Sequence, residues 1–292
     1  MKSVMTKEQS YPWSLCKCAL TVLNTTNAHE KAYKTREYKQ LWDKGDIQDL
    51  GTASEMPDRP ARPDRPELLM PRDMPKRKRG NSVRNRITLL HALSHIELNA
   101  IDLAWDIIAR FSFYHDAQKG FSLPIEFYKD WLNVADDEAK HFLMLSERLK
   151  DFDAAYGDLP AHDGLWESAE KTAHDFAARL AIVPMVLEAR GLDVTPHMTN
   201  MMRAQEDHKT ADILQIIHDD EITHVAAGTV WFKKWCQHNN KDEEAYFQEL
   251  VRKYFNAALK KPFNHPSRAE AGMIRDWYEP LAEEMKENKK HG

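Results

Sequence analysis

"DDEAKH" occupies residues 136–141 and "DDEITH" residues 219–224, so one acidic frame recurs 83 positions apart, each time with a histidine three residues after a glutamate. Positions three apart share a face of a helix, so each Glu-x-x-His offers a carboxylate oxygen and an imidazole nitrogen to the same point. The chain holds only these two Glu-x-x-His tetrapeptides. In neither is the glutamate preceded by the histidine of an H-E-x-x-H zinc protease, which excludes that reading.

Outward from the twin frames, apolar residues recur at three- and four-residue steps, the signature of helices with one buried face. Around the first frame the stripe is Trp131, Val134, Phe142, Leu145 and Leu149, and Glu138 and His141 lie on it. Around the second it is Ile213, Ile217, Gly228 and Trp231, interrupted by Glu221 and His224. Two further stripes are broken the same way. Leu90, Leu93, Ala100, Ala104, Ile107 and Phe111 enclose Glu97, and Ala177, Ala181 and Pro184 lead to Glu188.

These stripes predict four long helices, from about Ser82 to His115, from Pro124 (as first helical residue) to Ala155, from Leu165 to Arg190 with Gly191 as its stop, and from Lys209 to His238 after a short helical crossover at 196–206. Gly is scarce, 10 in 292 residues, and strand-like alternation is hard to find. The predicted fold is therefore all-α, a four-helix bundle with a crossover connection over residues 81–240. A helical extension over 1–46 reads as a satellite, and 241–292 as C-terminal helices at about 241–260 and 267–289, packed on the bundle. Between extension and bundle, "MPDRPARPDRPELLMPRDMPKRKRG" is too rich in Pro to sustain a helix, so 47–80 reads as an extended Pro/Arg-rich arm.

Composition sets the class. With 42% hydrophobic residues the chain can bury a sizeable core, and a net charge of −5 gives no overall drive toward nucleic acid. The basic run Lys76–Arg79, with Arg84 and Arg86, is the one footing for a phosphate backbone; such runs are more often solvated surface. The first residues lack the pattern of a secretory signal, and no stretch approaches a membrane span, so a cytoplasmic protein without a membrane partner is expected. Three cysteines, Cys16, Cys18 and Cys236, are too few and too odd for a disulfide framework.

Four carboxylates buried together in a bundle are tenable only if cations neutralise them. Glu97, Glu138 with His141, Glu188, and Glu221 with His224 make up, in helix order, a ligand set for two ions: a Glu from each of two helices and a Glu-x-x-His from each of the others. Oxygen-rich ligation with one imidazole per ion suits iron or manganese, so two iron ions are the expected pair, with Mn/Fe or Mn as alternatives. Asp220 is placed to accept the remaining N–H of His141, and Asp137 that of His224. His95 and Arg190 are further candidates beside the site, and His162 a candidate for its entrance.

"HALSHIELNAIDLAWDIIARF" (91–111), "VADDEAKHF" (134–142), "YGDLPAHDGLW" (156–166), "RLAIVPMVLEARGLDVTP" (179–196), "DDEITHVAAGTVWF" (219–232) and "KPFNHPSRAEAGM" (261–273) resemble the DUF455 family of the ferritin-like superfamily. The resemblance covers most of the chain. It implies a di-iron centre that reacts with dioxygen or peroxide, and each ligand position of that pattern is filled here.

Three functions fit this set. The leading expectation is a non-haem di-iron oxidoreductase, a hydroxylase or oxidase of an unidentified organic substrate served by an electron donor. The alternatives are a metal-handling protein (ferroxidase, peroxide scavenger or iron binder) and a redox-silent, metal-stabilised binding module. A monomer or small oligomer is expected, because the arm and extra helices suit a cage poorly.

Overall fold

The two longest helices each start at a side chain that satisfies a first-turn amide. Ser82 caps α3 (Val83–Arg110) by accepting from the Asn85 amide, and Asp207 caps α8 (His208–His238) by accepting from that of Thr210. In the computed structural model of the protein, residues 13–51, 55–75, 82–112, 120–255 and 258–282 are described in full, and 115–116 and 283–288 by backbone alone. The other helices are α1 (Leu15–Leu23), α2 (Ala28–Asp43), α4 (Ile125–Lys150), α5 (Gly164–Lys171), α6 (Phe176–Ile182), α7 (Ala189–Ala204), α9 (Glu243–Tyr254), α10 (His265–Glu270) and α11 (Arg275–Asn288). The fold is all-α, a helical bundle whose described strands are only the two-residue pair His115–Asp116 and Phe121–Ser122, antiparallel across Gly120. Pro124 stands just before α4 instead of in its first turn.

The third limb of the bundle departs from the predicted single helix over 165–190. Helix α5 ends at Lys171, Asp175 starts α6 by accepting from the Ala178 amide, and between them Thr172 bonds back to the carbonyls of Ser168 and Ala169. A six-residue π turn, Val183–Glu188, then joins α6 to α7. Pro184 lacks the amide that an α-helix would use there, so the wider turn absorbs the missing bond. Gly191 does not end the helix. Helix α7 runs through it to Ala204, so 196–206 is no separate crossover, and the stop is made by Glu206 in the left-handed region (φ 57°). The longer connection between helix pairs is residues 151–175, which carry α5.

Gly228 on α8 lets the π turn approach. A Cβ at that position would lie 2.6 Å from Pro184 Cβ and closer still to its Cγ. Among the described residues this close seat fixes the π turn, and with it Glu188, against α8.

The N-terminal helices are part of the core rather than a satellite of it. Leu15, Cys18, Ala19 and Val22 of α1 and Ala32 and Tyr38 of α2 share one buried cluster with Leu98, Ile101 and Trp105 of α3 and with Trp131 and Phe142 of α4. Lys31 of α2 is buried and pairs with Asp102 of α3.

The described parts of the arm are 47–51 and 55–75, and the second lies along the bundle: the Ala61 amide donates to Leu23 O, Arg62 bonds Asp102 and Asn99, and Leu68 bridges to Ala161. One 3-10 turn, Pro71–Asp73, is its only regular element besides that bridge. The basic run Lys76–Arg79 lies outside the described residues. At the far end, Gly272 (φ 80°) breaks the helix expected over 267–289 into α10 and α11.

Candidate metal centre

Three helices deliver acidic residues to one point, and a fourth element carries a further glutamate. Helix α4 projects Glu138 and His141 from the same face, α8 projects Glu221 and His224, α3 supplies Glu97, and Glu188 is the last residue of the π turn. One ligand atom from each of Glu97, Glu138, His141 and Glu221 lies within 4.8 Å of the others. His224 Nδ1 stands 3.1 Å from Glu138 Oε1 and 3.6 Å from Glu221 Oε2. His141 Nδ1 stands 3.2 Å from Glu97 Oε2 and 3.5 Å from Glu138 Oε2. Glu138 thus reaches one histidine with each of its oxygens.

Burial makes this arrangement costly without a cation. Glu138, His141 and His224 are fully buried, Glu97 and Glu221 nearly so, and Glu188 half-buried. Burial first, and then the charge of Glu138, pushes Glu97 and Glu221 above the usual carboxylate range. Glu188 is raised by burial and by the charges of Glu221 and Glu138, which ties it electrostatically to the same cluster. At Glu138 burial acts upward, but the imidazoles of His141 and His224 beside it outweigh it and hold the carboxyl low. For the two imidazoles burial acts downward and is overcome by the adjacent carboxylates, chiefly Asp220 for His141 and Asp137 for His224, so both are raised well above their ordinary value.

The donor atoms test whether a cation fits. Both oxygens of Glu138, Oε2 of Glu188, Oε2 of Glu221 and both ring nitrogens of His224 are buried without a hydrogen-bond partner among the described residues. Orphaned buried carboxylate oxygens are rare in folded proteins, and a coordinated ion removes the penalty. The buried Glu/His group can therefore hold a metal ion.

A family model described as "Protein of unknown function (DUF455)" matches residues 24–279, a span that contains every residue of this cluster. The chain belongs to the DUF455 family. An uncharacterized protein of Haemophilus influenzae is 40% identical over 227 residues, covering 77% of this chain and 78% of the relative. No solved structure matches the chain.

In this DUF455 protein Asp220 and Asp137 stand behind the histidines. Asp220 Oδ2 lies 2.9 Å from His141 Nε2, and Asp137 Oδ2 lies 3.5 Å from His224 Nε2. The other two candidates serve elsewhere. Arg190 is partly exposed and donates to the carbonyls of Lys260 and Pro262, with Asp193 at 3.4 Å, so it tethers the 260–262 segment.

His95 belongs to a separate buried network. Its Nδ1 is 2.8 Å from the Tyr156 hydroxyl, and its Nε2 faces His162 O and the Asn99 amide. The His162 ring takes the Gly164 amide. Arg179 and Arg110 both pair with buried Asp106, away from this cluster's acids.

Lys140, between Glu138 and His141 in sequence, falls off the apolar stripe, so periodicity gives it no signal. Its ammonium lies 2.6 Å from Asp137 Oδ1 and 2.7 Å from Asp220 Oδ2. Among the described residues no helix is long and apolar enough to cross a membrane.

Proposed function

We propose that the bundle holds two iron ions between Glu97, Glu138, His141, Glu188, Glu221 and His224, and that the protein is a ferritin-like oxidoreductase acting with dioxygen on an organic substrate. The observation that carries this reading is the set of orphaned, buried carboxylate and imidazole atoms beside a Glu/His group converging from α3, α4 and α8, with Glu188 of the π turn tied to it electrostatically. Six donors with one imidazole for each ion match the carboxylate-rich sites that favour iron and manganese. Bound there, the ions would supply the redox and oxygen-binding chemistry that no side chain offers.

The chain's own residues perform the rest. Asp220 accepts from Nε2 of His141 and leaves its Nδ1 as the donor, and Asp137, 3.5 Å from Nε2 of His224, would do the same for that ring. Buried side chains beside the donors, among them Ala100, Ala135, Ala139 and Val225, keep bulk water away and preserve the strength of the interactions inside.

Elemental analysis of anaerobically purified protein tests the centre, beside Glu138→Ala and His224→Ala variants that keep the helical circular-dichroism signal. Two irons per chain, lost in both variants, are expected, with dioxygen consumed once the loaded protein is reduced. No metal after iron loading would remove the reading. A large spherical assembly that mineralises iron would move it to metal storage.

A further inference from the structure

Behind the two histidines, on the side away from the carboxylate cluster, α4 and α8 meet through charged side chains. Asp137 and Lys140 come from α4 and Asp220 from α8. Asp220 uses a single oxygen, Oδ2, for both His141 Nε2 and the Lys140 ammonium. Asp137 divides the work, with Oδ1 on Lys140 at 2.6 Å and Oδ2 toward His224. One ammonium therefore sits between the two carboxylates that orient the two imidazoles. About one third of its side chain is exposed, 32%, against 26% for each aspartate, so the clasp forms the rim of the bundle over a fully buried interior.

We propose that Lys140 is the positioning residue of the metal centre: a single cation that holds Asp137 and Asp220 in place and through them sets the rotamers of His224 and His141 together. This rests on the metal-centre reading above. Without the ammonium two like charges face each other across the α4–α8 seam, and each is free to turn toward solvent. The imidazoles would then lose the acceptors that fix their tautomer and ring angle, a loss that typically weakens metal binding 10- to 100-fold.

The sign of the effect separates positioning from simple charge. If Lys140 were only a positive charge near the centre, its removal would tighten the hold on a divalent cation, because one repulsion is lost. As a clasp, its removal loosens that hold. The effect should also reach both ions, since both histidines depend on the same ammonium. Nearby Arg36 cannot take over, because it is paired with Asp136, with Nε 3.7 Å from Oδ1.

Anaerobic titration with ferrous ion tests this on full-length wild type, Lys140→Met and Lys140→Arg, with circular dichroism confirming that each is helical. Lys140→Met should weaken binding of both ions about 10-fold, and Lys140→Arg, whose fork can span two carboxylates, should restore most of it. Unchanged or tighter binding in Lys140→Met, or weakening confined to one ion, would overturn the clasp while leaving the centre standing. Wild type that takes up no ferrous ion would instead overturn the metal-centre reading itself.

Discussion

His141 on α4 and Asp220 on α8 are joined by a 2.9 Å contact between Nε2 and Oδ2, while the other ring nitrogen of His141 points at Glu97 Oε2 from 3.2 Å. One ring is thereby shared between a carboxylate that orients it and carboxylates that lie with it in the cluster. Asp220→Asn keeps the shape and removes the charge. It should weaken binding of one of the two ions about 10-fold and leave the other within about threefold, read by anaerobic ferrous titration; equal loss of both would contradict an assignment of Asp220 to His141 alone.

Metal and pH should act against each other on stability. In the metal-free protein Glu97, Glu188 and Glu221 have raised folded pKa values against an ordinary 4.5, so the fold retains protons that the unfolded chain has lost, and stability falls as pH rises. His141 and His224 are raised above 6.5, so their contribution is full below 6.5 and lost as pH climbs through the folded values, the same direction. Glu138, held low, contributes above 4.5 and is level from pH 5 to 8. Thermal unfolding should show these groups lowering the metal-free melting temperature from pH 5 to 8. Ferrous ion should raise it more at pH 8 than at pH 6, because binding expels protons. A metal-induced shift independent of pH would refute this.

His95 should make the fold acid-sensitive. Burial, reinforced by the Arg62 charge, pushes its pKa down to about 3, so it is neutral in the fold while the unfolded chain protonates near 6.5. The unfolded state then binds more protons between those values, and the His95 contribution falls by up to about 1.4 kcal/mol for each pH unit on acidification. His95→Gln lacks that slope. Urea unfolding should therefore show the gap between wild type and variant narrowing from pH 7 to pH 5, and a constant gap would count against it.

Gly228→Ala should be destabilising although alanine is ordinarily the better helix former. The added Cβ would overlap Pro184, and the π turn must shift, at a cost of about 1–3 kcal/mol. Since that turn ends at Glu188, iron stoichiometry or affinity should fall with stability. A double variant with Pro184→Ala should recover part of both; a fully stable single variant would show that the turn yields freely.

Spacing alone made much of this protein legible. Three- and four-residue apolar periodicity places α3, α4 and α8 because a helix buries one stripe, and a Glu-x-x-His on such a stripe must face inward whatever it packs against. Hence Glu97, Glu138, His141, Glu221 and His224 are legible from spacing, and the reciprocal placing of Asp137 and Asp220 from the repeated Asp-Asp. The third limb was not legible. Val183 to Glu188 reads as ordinary helix, and only Pro184 hints at the π turn that Gly228 accommodates from 44 positions away.

Local sequence thus determined which faces are apolar, which residues interrupt them, and the donor chemistry on offer, since these depend on residues a turn or two apart. Tertiary structure alone decided contacts between residues distant in the chain: α1 and α2 joining the core, the arm pinned by Arg62 to Asp102 and Asn99, Arg190 drawn off to Lys260 and Pro262, and Lys140 gripping aspartates from two helices. Charged side chains carry no periodic signal to name their partners. A long, flexible cation takes whichever carboxylate or carbonyl the packed backbone brings within reach, and that is settled only when the helices meet.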